Sequence, residues 1–133
     1  MSDHSISCTI VNQTTGTIGW SASNPNDHTN VTVNANSIGS GVTYTDAFVG
    51  SNNATTGCGG SVTFTLPNNI DQLVIVYNTT TMNDNSYCYP LLQSIDTSTN
   101  IASDAYYCVT TDSFVAGQSD GVTTTITVYD KPE

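Results

Sequence analysis

The feature that most restricts the fold of this chain is the alternation of apolar and polar residues in short runs. In Ile6–Ile10 the apolar side chains occupy every second position, and the same period recurs in Val62–Leu66 and Val122–Val128. Gly, Asn, Pro and Asp separate the runs at the spacing of β-strands. The 133 residues suit one domain. We therefore predict a single all-β domain over residues 1–133, an antiparallel β-sandwich of about nine short strands.

Two parts of the pattern give more specific predictions. Ile6–Ile10 and Thr17–Ala22 flank a turn at Thr14–Gly16, which indicates a β-hairpin. Leu73–Tyr77 is a continuous apolar run, and it predicts a central strand that is covered on both faces. The β-branched residues of this run and the turns beside it argue against a helix.

The charge balance excludes two classes of partner. Eleven acidic residues face a single basic residue, Lys131, and the formal net charge is −10. Because nucleic-acid binding relies on Lys and Arg to neutralise phosphates, we predict no nucleic-acid partner. The same shortage of basic residues removes attraction to anionic lipid surfaces. Neutral lipid head groups, sugars and other uncharged ligands remain as candidates.

The sequence holds four cysteines, namely Cys8, Cys58, Cys88 and Cys108. They lack the C-x-x-C spacing of zinc and redox motifs, so we predict two disulfides. Of the three possible connectivities we favour Cys8 with Cys58 and Cys88 with Cys108. A buried thiol is the alternative for Cys8, which shares the alternation phase of Ile6. Disulfides imply an extracellular or secreted protein, and the first four residues show no signal-peptide pattern, which indicates a replaced signal or an unconventional route.

Groups suited to catalysis are scarce. The two histidines, His4 and His28, are expected near a terminus and in a turn, so a Ser-His-Asp triad would have only His28 to use. Pairs of Asp residues occur, but no spacing marks a glycosidase site. We therefore predict that the chain is not an enzyme and that it requires no cofactor.

One segment has the composition of a partial calcium site. Asn83–Ser86 supplies four oxygen-bearing side chains on a predicted loop, and Asp84 and Asn85 are the candidate ligands. The full EF-hand pattern with its bidentate Glu is absent. An ordinary turn stabilised by Asn and Asp side chains is the alternative that we favour.

Aromatic residues are the candidates for ligand binding. Tyr and Trp combine an apolar face, which stacks on a sugar or lies at a membrane interface, with a polar tip. The selected residues are Trp20, Tyr87, Tyr89 and Tyr106. Consecutive Tyr106 and Tyr107 point to opposite faces of an extended strand, so we expect one of them to be exposed. The alternative is that these residues cover the edge of the core near a disulfide.

The mid-chain segment resembles a known family. Gly50–Val62, with the sequence GSNNATTGCGGSV, follows the strand end Ile10–Asn12 and precedes an alternating strand. This segment is similar to the glycine-serine segment of aegerolysins, and the length and acidity of the chain fit as well. The resemblance implies a β-sandwich related in shape to actinoporin-type cytolysins. It also implies binding to membrane lipids, often with a larger partner for pore formation.

These observations support two hypotheses of function. The first is a non-enzymatic recognition protein that binds a neutral carbohydrate or membrane-lipid head group, as defence lectins and cytolysins do. The second is a structural subunit of an extracellular filament, coat or capsid, which would form homo-oligomers. It rests on Thr123–Val128, a strand without Lys or Pro to block pairing if it lies at a sheet edge.

Overall fold

The computed structural model describes residues 5–26, 29–52, 58–78, 87–96, 98, 101–112 and 122–132. This part of the chain forms ten strands, and it contains no helix of the length and hydropathy needed to cross a bilayer. The strands are β1 (Ile6–Gln13), β2 (Ile18–Pro25), β3 (Thr29–Val33), β4 (Ser37–Ile38), β5 (Thr43–Asn52), β6 (Gly59–Thr65), β7 (Asp71–Asn78), β8 (Tyr87–Ser94), β9 (Tyr106–Asp112) and β10 (Val122–Asp130).

The strands form two five-stranded sheets, which confirms the predicted β-sandwich. Sheet A has the order β3-β5-β1-β10-β9, and sheet B has the order β4-β2-β6-β7-β8. Neighbouring strands pair antiparallel, except that β1 and β10 pair in parallel. The strand count exceeds the predicted nine because β4 has only two residues, too few for alternation to mark it.

The core lies between the sheets and is built from the residues that alternation places on their inner faces. Every second residue of β1 from Ile6 to Asn12, and of β7 from Asp71 to Tyr77, is buried. Phe48 of sheet A and Tyr77 of sheet B meet in the interior, with ring centroids 5.3 Å apart. Burying a large apolar side chain contributes about 1.5–3 kcal/mol, so this layer holds the two sheets together.

The predicted hairpin between the first two strands is wrong. β1 pairs with β5 and β10, whereas β2 pairs with β4 and β6 of the other sheet. The buried Asn12 side chain holds the turn that takes the chain from sheet A to sheet B. Its Nδ2 donates hydrogen bonds to the carbonyls of Gly16 and Ile38, both at 2.8 Å. Its Oδ1 accepts bonds from the Thr14 amide and hydroxyl. These bonds stabilise a sheet-to-sheet turn instead of a hairpin.

The threonine-rich strand does not lie at a sheet edge. β10 has β1 on one side and β9 on the other, so both of its backbone edges are hydrogen-bonded. Edge-to-edge assembly requires unpaired backbone groups. The observation that motivated the structural-subunit hypothesis is therefore removed for Thr123–Val128.

Candidate functional site

The exposed tyrosines of β8 lie on the outer face of sheet B. Tyr87, Tyr89 and Leu91 are exposed, whereas Cys88 between the tyrosines is buried. Tyr87 and Tyr89 are each 42% exposed, and their ring centroids lie 5.5 Å apart at an interplanar angle of 39°. This edge strand therefore presents aromatic and apolar surface to solvent.

The neighbouring strand β7 extends this surface. Val76 lies opposite Tyr89, and Val74 lies opposite Leu91. Both valines are half-buried, so the apolar run that predicted a strand covered on both faces is fully buried only on its inner face. The outer side chains of the two strands form one surface, here called the tyrosine face: Val74, Val76, Tyr87, Tyr89 and Leu91.

A groove of about 480 Å³ runs along the tyrosine face. Val74, Val76, Tyr87 and Leu91 contribute its apolar part. The other described residues that line it are Asn24, Asn26, Gly60, Ser61, Tyr77 and Gln93. None of these side chains carries a charge, and the amides and hydroxyls are both donors and acceptors. The groove thus combines aromatic and aliphatic contacts with neutral hydrogen-bonding groups, the chemistry that suits an uncharged polar ligand.

Gly60 is required where β2 and β6 approach each other at this groove. Its φ is 147°, a backbone conformation that favours glycine. A Cβ at this position would lie 2.5 Å from the carbonyl oxygen of Asn24 and 2.7 Å from Cα of Pro25. Only a residue without a side chain fits, so the glycine sets the shape of this end of the groove.

A second groove, of about 430 Å³, separates the edge strands β8 and β9. Leu91 and Leu92 line one side, and Tyr107 and Cys108 line the other. Burial raises the pKa of the Cys108 thiol to about 12, so at neutral pH the sulfur is protonated and a poor nucleophile. Lys131 and Asp104, which also line this groove, form an ion pair. Leu91 lines both grooves, so the two are adjacent.

The structure brings together only part of the predicted aromatic set. Tyr87 and Tyr89 are neighbours, but Trp20, 41% exposed on β2, is separated from β8 by two strands, which places the backbones roughly 14 Å apart. Tyr106 is buried, and its hydroxyl accepts a hydrogen bond from the Asn68 amide at 2.9 Å. The choice of Tyr106 as the exposed residue is corrected, because Tyr107 is the exposed one.

Sequence reasoning did not select several groove residues. Val74, Val76 and Leu91 were visible only as members of apolar runs, although their phase with Tyr87 and Tyr89 was a usable signal. Asn24 and Ser61 come from strands that pair only in the folded sheet, where they are opposite one another. No local pattern marks such a long-range pair.

The predicted calcium ligands Asp84 and Asn85 lie outside the described residues, as does His28. Within the described ranges, no group of three or more His, Cys, Asp or Glu residues is arranged to hold a metal ion. The calcium site stays a prediction.

All four cysteines are thiols in the structure, so the disulfides also stay a prediction. Cys8, Cys58 and Cys88 are buried in the core, whereas Cys108 is partly exposed at the second groove. The Cys8 thiol is hydrogen-bonded to that of Cys88. This contact joins one cysteine from each of the two favoured pairs, so it matches neither predicted pairing.

Asp71 is a buried carboxylate at the start of β7, at the end of the strand away from Tyr87. It accepts hydrogen bonds from the Ser103 amide at 2.9 Å, the Ser103 hydroxyl at 2.5 Å and the Asn68 side-chain amide at 2.7 Å. Burial alone would raise its pKa, but these bonds outweigh burial and lower the pKa below the usual value. The cluster attaches the segment around Ser103 to sheet B, and none of its three residues lines either groove.

Comparison with known proteins gives a likeness of fold. No family model matches the sequence, and no curated protein matches it. The chain is similar in fold to the lipid binding protein Nakanori. The crystal structure of Nakanori superposes with a TM-score of 0.66 over 96% of this chain and 71% of that chain, at 10% sequence identity. The resemblance predicted from the sequence is thereby confirmed at the level of the fold.

Proposed function

We propose that this chain is a non-enzymatic recognition protein that binds the neutral, hydroxyl-rich head group of a membrane lipid on its tyrosine face. The observation that carries the proposal is the groove on sheet B, where the exposed Tyr87 lies beside amides and hydroxyls and where the described lining residues include no charged side chain. The fold of a lipid binding protein supports the same function class.

The chemistry of the groove suits a head group that is polar but uncharged. Tyrosine rings contact the apolar faces of sugars, and at a membrane surface their hydroxyls reach the interfacial region. Asn24, Ser61 and Gln93 supply hydrogen bonds to hydroxyl groups. The net charge of −10 opposes binding to anionic lipids, so selectivity against them is part of the proposal.

We also propose, from the residues that line the groove, that the protein is not an enzyme. Among the described residues that line the groove there is no carboxylate, imidazole or amine, the groups that most often act as general acid or base. In the second groove the Asp104 carboxylate is paired with Lys131. A protein that presents this face to lipid head groups would act at an outer membrane surface, in line with an extracellular location.

Vesicle flotation tests the proposal. Vesicles of phosphatidylcholine alone are compared with vesicles that also contain a neutral glycolipid, a sterol or phosphatidylserine. We expect flotation with the neutral glycolipid, and about tenfold weaker binding for Tyr89→Ser, because an exposed aromatic contact contributes on the order of 1.4 kcal/mol.

Tyr107→Ser is the matched control. Tyr107 is 39% exposed, close to the value for Tyr89, but it lies on sheet A beside the second groove. We expect this variant to bind as the unaltered protein does. Loss of binding in Tyr107→Ser but not in Tyr89→Ser would move the site to the second groove, and binding to free glycans without vesicle binding would indicate a lectin instead.

A further inference from the structure

Two buried cysteines from opposite sheets face each other in the core. Cys8 lies on β1 of sheet A beside Phe48, and Cys88 lies on β8 of sheet B beside Tyr77. The rings of Phe48 and Tyr77 are in contact across the interior, with centroids 5.3 Å apart. The two cysteines are therefore brought together by the same packing layer, and their thiols are hydrogen-bonded.

The third buried cysteine is placed differently. The Cys58 sulfur lies against β5, 3.5 Å from the position that a Cβ on Gly50 would take. Gly50 is paired with Ile6, one alternation step along β1 from Cys8. Cys58 thus packs nearer to the end of the sandwich, and the thiol-to-thiol contact of Cys8 is with Cys88.

We propose that Cys8 and Cys88 form a disulfide that joins the two sheets when the chain folds in the presence of a low-molecular-weight disulfide such as oxidised glutathione. One cysteine thiolate attacks the glutathione disulfide and releases one glutathione thiol. The other cysteine then attacks the mixed disulfide and releases the second. The protein loses two S–H bonds and gains one S–S bond. Glutathione disulfide takes up the two electrons, and the two protons are transferred to the two glutathione thiols that are released.

The reaction belongs to folding and not to the finished fold. Both sulfurs are almost fully buried, and the hydrogen bond to Cys88, together with burial, raises the pKa of Cys8 well above its usual value. Little thiolate is therefore present in the folded protein, and exchange there is slow. Once formed, the bond closes a long loop and restricts the unfolded chain, which is where a disulfide gains most of its stabilising effect.

Disulfide mapping tests the proposal. The reduced, denatured protein is refolded with reduced and oxidised glutathione, alkylated, and digested with pepsin. Trypsin would leave the chain nearly intact because it has one basic residue, and acid suppresses thiol exchange. We expect a peptide containing Cys8 linked to one containing Cys88, and a melting temperature on the order of 10 °C above that of the reduced protein.

Two variants complete the test. The double variant Cys58→Ala/Cys108→Ala is expected to keep both the link and the shift in melting temperature, and Cys8→Ala to lose both. The proposal would be overturned by refolded protein that has a native circular dichroism spectrum and whose four cysteines are all alkylated once it is denatured, or by linked peptides that join Cys8 to Cys58 or Cys88 to Cys108. If Cys8→Ala does not fold, the map of the unaltered chain and the double variant still decide.

Discussion

The outer faces of the two sheets differ in chemistry although the same alternation builds both. On sheet A the first outward residues of β1 carry hydroxyls and pair with threonines of β10, Ser7 with Thr123 and Thr9 with Thr125, whereas farther along the strands Tyr129 stacks on Tyr107. The four hydroxyl-bearing residues and Thr127 form the threonine face. On sheet B the corresponding surface is the tyrosine face. Because inward residues fix the fold, the outward ones are free to differ, and the grooved tyrosine face is the one that we connect with function.

The largest effect is expected from a change in the backbone beneath the tyrosine face. We expect Gly60→Ala to lower the free energy of unfolding by about 3 kcal/mol, because the new Cβ clashes with backbone atoms of β2 at a positive φ. Chemical denaturation measures the change.

Gly19→Ala is the control on the same sheet, since nothing lies within 4 Å of a Cβ there. We expect it to alter stability by less than about 0.5 kcal/mol. Equal effects of the two substitutions would show that the close approach of β2 and β6 is not a special property of the groove.

The second prediction separates stability from binding on sheet B. Asp71→Asn is expected to destabilise the fold by about 2 kcal/mol, because it weakens three charge-assisted hydrogen bonds at the start of β7. The substitution lies at the far end of β7 from Tyr87, so vesicle binding below the unfolding transition should not change. A loss of binding in folded protein would tie the site to the whole sheet instead of to the tyrosine face.

The same carboxylate makes a pH-dependent contribution. Its pKa is lower in the folded protein than in the unfolded chain, so its stabilising effect is present above the unfolded value of about 3.9 and is lost as pH falls through the folded pKa. Denaturation curves are measured at a series of pH values. The difference in free energy of unfolding between the unaltered protein and Asp71→Asn should become smaller as the pH is lowered from neutral to about pH 2. Parallel curves would show that Asp71 is not the group responsible.

The smallest expected effect is a direct exchange between the two faces. Val76→Thr places a hydroxyl in the apolar floor of the tyrosine face, and we expect about fivefold weaker binding to glycolipid vesicles because the valine contact loses about 1 kcal/mol. Thr125→Val makes the reverse change on the threonine face and should leave binding unchanged. Binding that responds equally to both substitutions would remove the distinction between the faces.

The sequence was sufficient to predict strands and their phases, because burial on one face imposes period two over distances that a short window covers. It predicted the wrong partner for β1, since the side-chain bonds of Asn12 to Gly16 and Ile38 leave no trace in alternation. The choice between Tyr106 and Tyr107 failed for a related reason. Either phase of β9 puts one tyrosine inside, and in the fold this is Tyr106, whose hydroxyl accepts a hydrogen bond from the Asn68 amide.

The candidate site was predictable in part. Alternation placed Tyr87 and Tyr89 on one face, and the apolar run of β7 signalled that its outer face was not ordinary solvent-facing sheet. What alternation does not contain is the pairing of strands far apart in the chain. Gly60 meets Pro25 of β2 and Tyr77 of β7 only through such pairing, and that pairing forms the groove.

The parallel pairing of β1 and β10 also sets an order of events during synthesis. β1 emerges from the ribosome first of the ten strands and β10 last, yet the two are neighbours in the middle of sheet A. Until β10 is available, β1 has one edge without its final partner, and an exposed edge is a template for association between chains. A chain terminated before β10 would lack an interior strand and would leave one edge of β1 unpaired, which favours association between copies over folding.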